Sequence, residues 1–351
     1  MFISDKGALL LEEQDIVYLI KEKIGLKNFL LQLMESLEAG FKKFASKKIT
    51  VPARYEFLFP HGSIVPMSAA DDEYFACKIV NTHPENSIKY NMPTVMGTGI
   101  LVDVQTGYPT LLIESTILTA LRTAITSAIA TKYLANKKSK ILGIIGNGAE
   151  AMPHLHAISL IRDINEVYAF DVDEKAAKSF KNSAERLMNG GAEIRLSNAE
   201  TTSIESDILV TITNNEMNRM PVVFSNWIRD GTHINAVGGC SANQIELEKS
   251  LLERAKVIVD FKDQAIYEGE SQQLPKGKIY ADLSDIIVHN KEPRTKEDEV
   301  TIFDSVGFAM EDLQAFKLIY ELSIKEGIGK RVNIAAKPRY SKNLYQSYFL
   351  N

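Results

Sequence analysis

One stretch, residues 140–173, constrains the fold of this chain more than any other. Its apolar run 141–145 breaks into Gly146-Asn147-Gly148-Ala149-Glu150-Ala151, after which apolar residues recur at helical spacing. A second apolar run, 167–170, follows and ends on Asp171. The order of strand, tight turn, helix and second strand with a terminal acid predicts a parallel βαβ unit of the nucleotide-binding kind.

The small residues of this turn each have a physical role. Gly146 permits the tight turn, Gly148 lets the backbone approach a diphosphate, and Ala151 lets the helix pack closely on the strand. The helix N-terminus offers unpaired N–H groups to phosphates. Asp171 can accept hydrogen bonds from both ribose hydroxyls and would repel a 2′-phosphate, so we predict NAD rather than NADP. An ordinary α/β turn, with an aspartate that caps the next helix, is the alternative.

Length, charge and cysteine content narrow the class of protein. A chain of 351 residues suggests two domains, and a net charge of −5 leaves no basic footprint for nucleic acid. Two cysteines, Cys77 and Cys240, argue against a disulfide framework and suit a reducing compartment. Charges near the N-terminus interrupt any signal-peptide core, and no apolar run approaches the ~18 residues that span a bilayer. We therefore expect a cytoplasmic protein with neither a nucleic-acid nor a membrane partner.

The part of the chain before residue 136 differs in pattern from the part that follows. Residues 1–48 are mostly helical in pattern, and short apolar runs between 49 and 103 alternate with turn signals, which predicts a mainly antiparallel sheet. A long helix then covers 115–135 and ends in the polar stretch 136–139, where we place a domain boundary. The apolar stripe of the earlier helix consists of Leu30, Leu33, Leu37 and Phe41.

Residues 137–310 have the alternating pattern of a Rossmann-type, doubly wound parallel sheet. Two strand ends, 211–215 and 235–240, carry hydroxyl, amide and glycine residues. Ligands bind beyond the carboxyl ends of such strands, so both segments are predicted to face the cofactor, with ordinary polar turns as the alternative. A helix over 309–325 should cross back to the first domain, leaving the tail 339–350 on the surface or against a neighbouring subunit. The further strand candidates are 193–196, 207–213, 233–237 and 256–260.

Three cations stand in otherwise apolar surroundings. Arg54 and Lys78 lie inside apolar runs, and Arg122 is the only charge between Glu114 and Lys132 on the long helix. A buried cation needs an anion, either a protein carboxylate or a ligand. Arg54 and Lys78 have the further alternative of extending to the surface.

Several stretches together resemble the ornithine cyclodeaminase and mu-crystallin family. The resemblance implies a homodimer in which residues 1–136, completed by 311–351, form a substrate-binding and dimerisation domain beside a Rossmann NAD-binding domain, 137–310. The matching stretches are KIVNTHPEN (78–86), 94–135, GNGAEA, INAVGG, EGESQQLP (268–275) and VTIFDSVGFAMEDL (300–313).

The resemblance also implies site residues. Arg54, Lys78 and Arg122 correspond to a clamp for the substrate α-carboxylate, and Val306 falls where the substrate lies. Lys78, Arg122 and Cys240 are the candidate catalytic residues. From the motif, the strand ends and the resemblance together, the predicted cofactor contacts are Thr94, Arg122, Gly146, Gly148, Ala149, Glu150, Asp171, Thr213, Asn235, Ala236, Val237, Gly238 and Ser305.

The chain departs from the cyclodeaminase pattern where the side-chain amine is handled. Cyclodeaminases carry an aspartate at the position of Cys240, a glutamate at that of Val65 and a lysine at that of Gln244. We therefore predict an NAD-dependent oxidoreductase that moves hydride to or from Cα of a small amino or imino acid: an amino-acid or opine-type dehydrogenase, or a cyclic-imine reductase. One alternative is an ornithine cyclodeaminase in which Glu56 or a Cys240 thiolate replaces the missing carboxylates. The other is a mu-crystallin-like protein that binds a nucleotide and a small ligand without turnover.

Replacing the acid at the end of the second strand tests the cofactor prediction. We expect Asp171→Ala to weaken NAD binding and to favour NADP relative to NAD, because the ribose hydroxyls lose their acceptor and a 2′-phosphate loses its repulsion. Calorimetric titration with both cofactors measures this. An NAD affinity equal to that of the unmodified protein would contradict the assignment.

Overall fold

Two β-sheets organise the chain. The structure is a computed structural model that describes residues 7–214, 220–239, 241–242, 244–275 and 278–350. The strands are β1 (Ala8–Leu11), β2 (Phe57–Phe59), β3 (Gly62–Ala70), β4 (Tyr74–Thr82), β5 (Val95–Asp103), β6 (Pro109–Glu114), β7 (Ile141–Ile145), β8 (Glu166–Phe170), β9 (Glu193–Leu196), β10 (Ile208–Thr211), β11 (His233–Ala236), β12 (Lys256–Val259), β13 (Ala281–Asp282), β14 (Thr301–Asp304) and β15 (Lys330–Val332).

Helices pack against both sheets, and three of those described are long. Within the described residues, no helix is long and apolar enough to cross a membrane. The α-helices are α1 (Glu13–Tyr18), α2 (Leu26–Ala45), α3 (Asn86–Lys89), α4 (Thr116–Leu134), α5 (Ala151–Ser159), α6 (Glu174–Met188), α7 (Ala199–Glu205), α8 (Lys249–Arg254), α9 (Lys262–Ala265), α10 (Leu283–Ile287), α11 (Ala309–Glu326) and α12 (Leu344–Phe349).

The first sheet has seven strands in the order β15-β1-β6-β5-β4-β3-β2. Strands β2 to β6 form an antiparallel meander, as predicted, and Lys78 on β4 pairs with Met67 and Gly99. Alternate residues of β3 are buried, so this strand packs one face on the core. Of the apolar run 51–59 only Phe57–Phe59 joins the sheet. Pro52 has no N–H to donate to a neighbouring strand, which disfavours pairing at the start of this run.

The second sheet is parallel throughout its eight strands, in the order β13-β12-β14-β11-β10-β7-β8-β9. From β9 to β14 this is the doubly wound order, with the reversal between β7 and β10. The predicted Rossmann-type class is therefore confirmed. The strand predicted over 193–196 has those bounds, and the others differ by one or two residues at an end.

Helix α11 connects the two sheets. It starts a few residues after β14, packs on β3, β4 and α2, and so returns to the first sheet as expected. At its start, Phe308 is fully buried with its ring centroid 4.8 Å from that of Phe44 and 4.9 Å from that of Phe261. One apolar core therefore runs from α2 to the edge of the second sheet. Beyond β15 the chain is largely exposed, including α12.

Truncating Phe308 tests this junction. We expect Phe308→Ala to lower the free energy of unfolding by about 3–5 kcal/mol, because a large cavity would open among Phe44, Phe261 and Phe41. Tyr345→Ala is a suitable control, since Tyr345 is exposed and its loss should change stability by no more than about 0.5 kcal/mol. Denaturant unfolding measures both, and equal losses would contradict the junction.

Candidate active site

The glycine turn after β7 has the geometry that a diphosphate requires. Gly146 has a φ of +96°, and a Cβ at this position would lie 2.6 Å from the carbonyl oxygen of Ile212. Gly148 is exposed, and a Cβ built there meets no described atom within 4 Å. The space beside Gly148 is thus open at the N-terminus of α5, where backbone N–H groups favour anions. These residues fit a dinucleotide diphosphate.

Asp171 belongs to the turn and not to the following helix. Its Oδ2 accepts from the backbone N–H of Asn147 at 2.6 Å, and its Oδ1 accepts from Asp173 N at 2.8 Å. The side chain that caps α6 is instead Asp173, which accepts from Lys175 N at 2.8 Å. The aspartate that caps the next helix is therefore Asp173 and not Asp171.

The other predicted cofactor contacts fall into two groups. Thr213 and Gly238 are partly exposed where β10 and β11 end, and Ala149 is exposed beside Gly148. The buried group consists of Asn235, Ala236, Val237 and Ser305. Of these, Asn235 donates from Nδ2 to Thr131 Oγ1 at 2.9 Å, so its side chain points to α4.

Two predicted contacts lie apart from these groups. Glu150 is the residue before α5, and its Oε2 is buried without a hydrogen-bond partner among the described residues. Thr94 lies just before β5 in the first sheet, where its carbonyl accepts from His83 N at 2.8 Å. The contact roles of both remain predictions.

The three isolated cations are linked through Arg122, which meets Arg54 at Gly307 and Lys78 at Asp312. Lys78 on β4 is fully buried, and Arg122 on α4 is 4% exposed. A Cβ built on Gly307 would lie 3.5 Å from Arg122 Nη2 and 3.6 Å from Arg54 Nη1. Lys78 and Arg122 both donate to Asp312 Oδ1, at 2.7 Å and 3.3 Å. The backbone at Gly307 and the carboxylate of Asp312 thus place the predicted clamp residues together.

Protein carboxylates compensate all three cations. In addition to the bonds to Asp312, Arg122 Nη1 donates to Glu311 Oε2 at 2.8 Å, and Arg54 donates to Glu268. Sequence reasoning missed these three acids. The signal for two of them was present, because adjacent acids in the first turn of a helix suit the positive end of its dipole.

Burial brings the pKa values of two members of this cluster, Lys78 and Glu311, toward neutral pH. It lowers the pKa of Lys78 to about 8, with the nearby Arg122 acting in the same direction and Asp312 opposing both. Burial also raises the pKa of Glu311 to about 8, an effect that the charge of Arg122 opposes. Lys78 can therefore hold or release a proton close to neutral pH, which suits acid–base work.

Two apolar positions bear on the substrate side chain. Val65 is buried on β3, opposite Val80 and on the same strand face as Met67, whose partner across the sheet is Lys78. Val306 is 2% exposed, and its side chain packs in the apolar cluster of the second sheet. Any contact of residue 306 with a substrate would therefore involve its backbone.

Only some of the positions predicted to contact the substrate amine lie in the described part of the chain. Glu56 accepts from Ser241 Oγ at 3.0 Å, which joins the segment after β11 to the first sheet's side of the site. Cys240 and Asn215, both included in the sequence predictions, lie outside the described residues. The catalytic role predicted for Cys240 remains a prediction.

Removing the shared carboxylate tests the cluster. We predict a pH–rate inflection near 8 from Lys78, and Asp312→Asn should move it to lower pH by about one unit or more, because the anion that favours the charged lysine is lost. The pH dependence of kcat/KM measures the shift. Asp230→Asn removes an exposed partner of Arg254 and serves as the control. An inflection at the same pH in all three proteins would contradict this account.

Comparison with known proteins gives a consistent result over nearly the whole chain. The model of the ornithine cyclodeaminase/mu-crystallin family matches residues 14–327. An alanine dehydrogenase of Archaeoglobus fulgidus is 37% identical over 307 residues, which cover 86% of this chain and 93% of the relative. An ornithine cyclodeaminase of Brucella abortus is 34% identical over 325 residues, which cover 92% and 88%.

Solved structures agree with these relatives. An archaeal alanine dehydrogenase dimer with bound NAD superimposes with a TM-score of 0.86 at 34% identity, covering 93% of this chain and 99% of that one. The Δ1-pyrroline-2-carboxylate reductase of Thermococcus litoralis, solved with NADH and L-proline, gives 0.84 at 35% identity, covering 92% and 100%. These relatives confirm the predicted NAD cofactor and the predicted oxidoreductase class. The chain belongs to the ornithine cyclodeaminase/mu-crystallin family.

Proposed function

We propose that this protein is an NAD(H)-dependent oxidoreductase that transfers hydride to or from Cα of a small amino or imino acid. The linked arrangement of the three cations carries the proposal, since Arg122 meets Arg54 at Gly307 and shares Asp312 with Lys78. Gly307 follows β14, so the cations lie at the edge of the second sheet where dinucleotides bind. An acid group held there would have its neighbouring carbon beside the cofactor.

Each residue of the site would have a separate role in substrate binding or proton transfer. Arg122 binds the substrate carboxylate through its planar fork, with Arg54 close by at Gly307. Lys78, whose pKa lies near 8, exchanges a proton with the substrate. Asp312 fixes Lys78 and Arg122 relative to each other. When bound, NAD supplies or accepts the hydride.

The apolar side chain at position 65 favours a dehydrogenase or imine reductase over a cyclodeaminase. A substrate ammonium group beside Val65 would have no carboxylate there, and burying an unpaired ammonium is costly. The second candidate, an ornithine cyclodeaminase, is favoured by the Glu56 carboxylate, which accepts from Ser241 next to Cys240 in the chain. The similarity to the Brucella enzyme also keeps this candidate open.

We further propose a homodimer and a two-domain division. The outer face of β4 exposes Ile79 and Phe75, at 55% and 37%, in the middle of the first sheet. An apolar face of this kind is typical of an interface, and the archaeal relative was solved as a dimer. The substrate-binding and dimerisation domain would comprise 1–136 and 311–351, and the NAD-binding domain 137–310. A cytoplasmic location belongs to the same proposal.

Product analysis separates the candidate functions. We expect NADH to be consumed in proportion to a small cyclic or acyclic imino acid, or NAD to be reduced in proportion to an amino acid. Ammonia and a cyclic amino acid formed from ornithine, with no net change in NADH, would instead indicate a cyclodeaminase. Binding of NAD and of small acids without either product would indicate a binding protein.

Substitution of Arg122 tests the clamp. Arg122→Ala should lower kcat/KM by at least about thirtyfold, because the carboxylate loses its charged partner, while NAD affinity is largely kept. Arg122→Lys keeps the charge without the planar fork and should recover only part of the activity. Arg229→Ala removes an exposed arginine as the control. A kcat/KM unchanged in Arg122→Ala would contradict the clamp.

A further inference from the structure

Three carboxylates are buried behind the carboxyl edge of the second sheet. Glu246 and Glu270 have no exposed surface, and Asp304 is 1% exposed. None of the three has an ion-pair partner in the described part of the chain. Burying a charge without a cation is costly unless hydrogen bonds replace its hydration. These side chains therefore depend on their hydrogen bonds to the protein.

The three carboxylates are linked in series, because Asp304 accepts from the backbone at Glu270, and Glu270 accepts from the backbone at Glu246. Asp304 accepts from Glu270 N at 3.0 Å and from Ser271 N at 2.7 Å. Glu270 accepts from Glu246 N at 2.6 Å and from Leu247 N at 3.1 Å. The end of β14 is thus connected, through two acids, to the segment that carries Glu246.

Glu246 ends this series at two predicted cofactor contacts. Its Oε1 accepts from Thr213 N at 2.6 Å and from Thr213 Oγ1 at 2.7 Å. Its Oε2 accepts from Gly238 N at 2.9 Å and from Thr211 Oγ1 at 2.6 Å. Two of these four neighbours are backbone N–H groups, which can only donate, so the geometry suits the carboxylate form; burial raises the pKa of Glu246, and these hydrogen bonds oppose that effect. An amide at this position would direct its NH₂ group at the backbone N–H of Thr213 or of Gly238, depending on its orientation.

The position of these segments indicates which half of a dinucleotide they face. The glycine turn and Asp171 lie at β7 and β8, on one side of the strand-order reversal. Thr213 and Gly238 follow β10 and β11, on the other side. In a doubly wound sheet the two nucleotide halves bind on opposite sides of that reversal. The adenosine half therefore belongs at Asp171 and the nicotinamide half at the segments that Glu246 holds.

We propose that Glu246 is a positioning residue for the nicotinamide half of NAD, with Glu270 and Asp304 fixing its place. The inference rests on the proposed cofactor site and adds a role that the clamp does not require. Glu246 acts by holding the Thr213 and Gly238 backbones at a fixed separation. Neither Glu270 nor Asp304 need touch the cofactor.

Two ligands and a matched variant test the proposal. ADP-ribose contains the adenosine, diphosphate and second ribose of NAD but lacks nicotinamide. Calorimetry on Glu246→Gln should show NAD affinity lowered about tenfold or more, with ADP-ribose affinity within about twofold of the unmodified protein. Glu248→Gln is the control, because Glu248 lies in the same segment and accepts from Ser225 N at 2.7 Å, away from both strand ends. This control should leave both affinities unchanged.

Three results would overturn the proposal: an unchanged NAD affinity in Glu246→Gln, an equal loss for NAD and ADP-ribose, or the same loss of NAD affinity in Glu248→Gln. If Glu246→Gln does not fold, Glu270→Gln should show the same selective loss of NAD affinity, because the Glu270 carboxylate holds the backbone at Glu246. Calorimetry reads binding without turnover. Absence of hydride transfer in the unmodified protein would therefore refute the proposed reaction and leave this comparison intact.

Discussion

A single carboxylate oxygen, Asp312 Oδ1, joins the parts of the molecule on which the site depends. It accepts from Lys78 on β4 and Arg122 on α4, while Asp312 itself belongs to α11. All three side chains are nearly or fully buried. Removing one member of such a cluster leaves an uncompensated charge, which costs several kcal/mol. The cluster therefore forms only when these three elements occupy their places, so folding and assembly of the carboxylate site are coupled.

The two sheets satisfy their buried charges in different ways. On the side of the first sheet, cations and acids pair directly, and Arg122 is held next to Gly307. Behind the second sheet, Glu246 and Glu270 are satisfied by backbone N–H groups and neutral side chains. The paired cations provide positive charge for the acid group of a substrate. The hydrogen-bonded acids, Glu246 and Glu270, hold loops without adding a cation of their own near the site. A reaction between an acidic substrate and a nicotinamide, which is cationic when oxidised, suits this separation.

The features that were predicted correctly from the sequence are those that depend on residues close together in the chain. The glycine turn, the strand over 193–196 and the isolated Arg122 were visible because periodicity and charge contrast act over a few residues. The partners of the cations were not visible, since Lys78 and Asp312 are 234 residues apart and no periodicity connects them. The contacts of Glu246 were hidden for the same reason, because its hydrogen-bond donors come from the ends of two separate strands, β10 and β11. The helix-capping alternative for Asp171 was indistinguishable without the bond to Asn147.

A crystal structure of this protein with NADH and a bound small amino acid tests the central claim most directly. The account predicts that the acid group of the ligand lies within hydrogen-bond distance of Arg122 and at least one of Lys78 and Arg54. It also predicts that Cα faces the nicotinamide ring beyond the ends of β10 and β11. A ligand whose acid group binds elsewhere, with Arg122 still bonded only to Glu311 and Asp312, would contradict it.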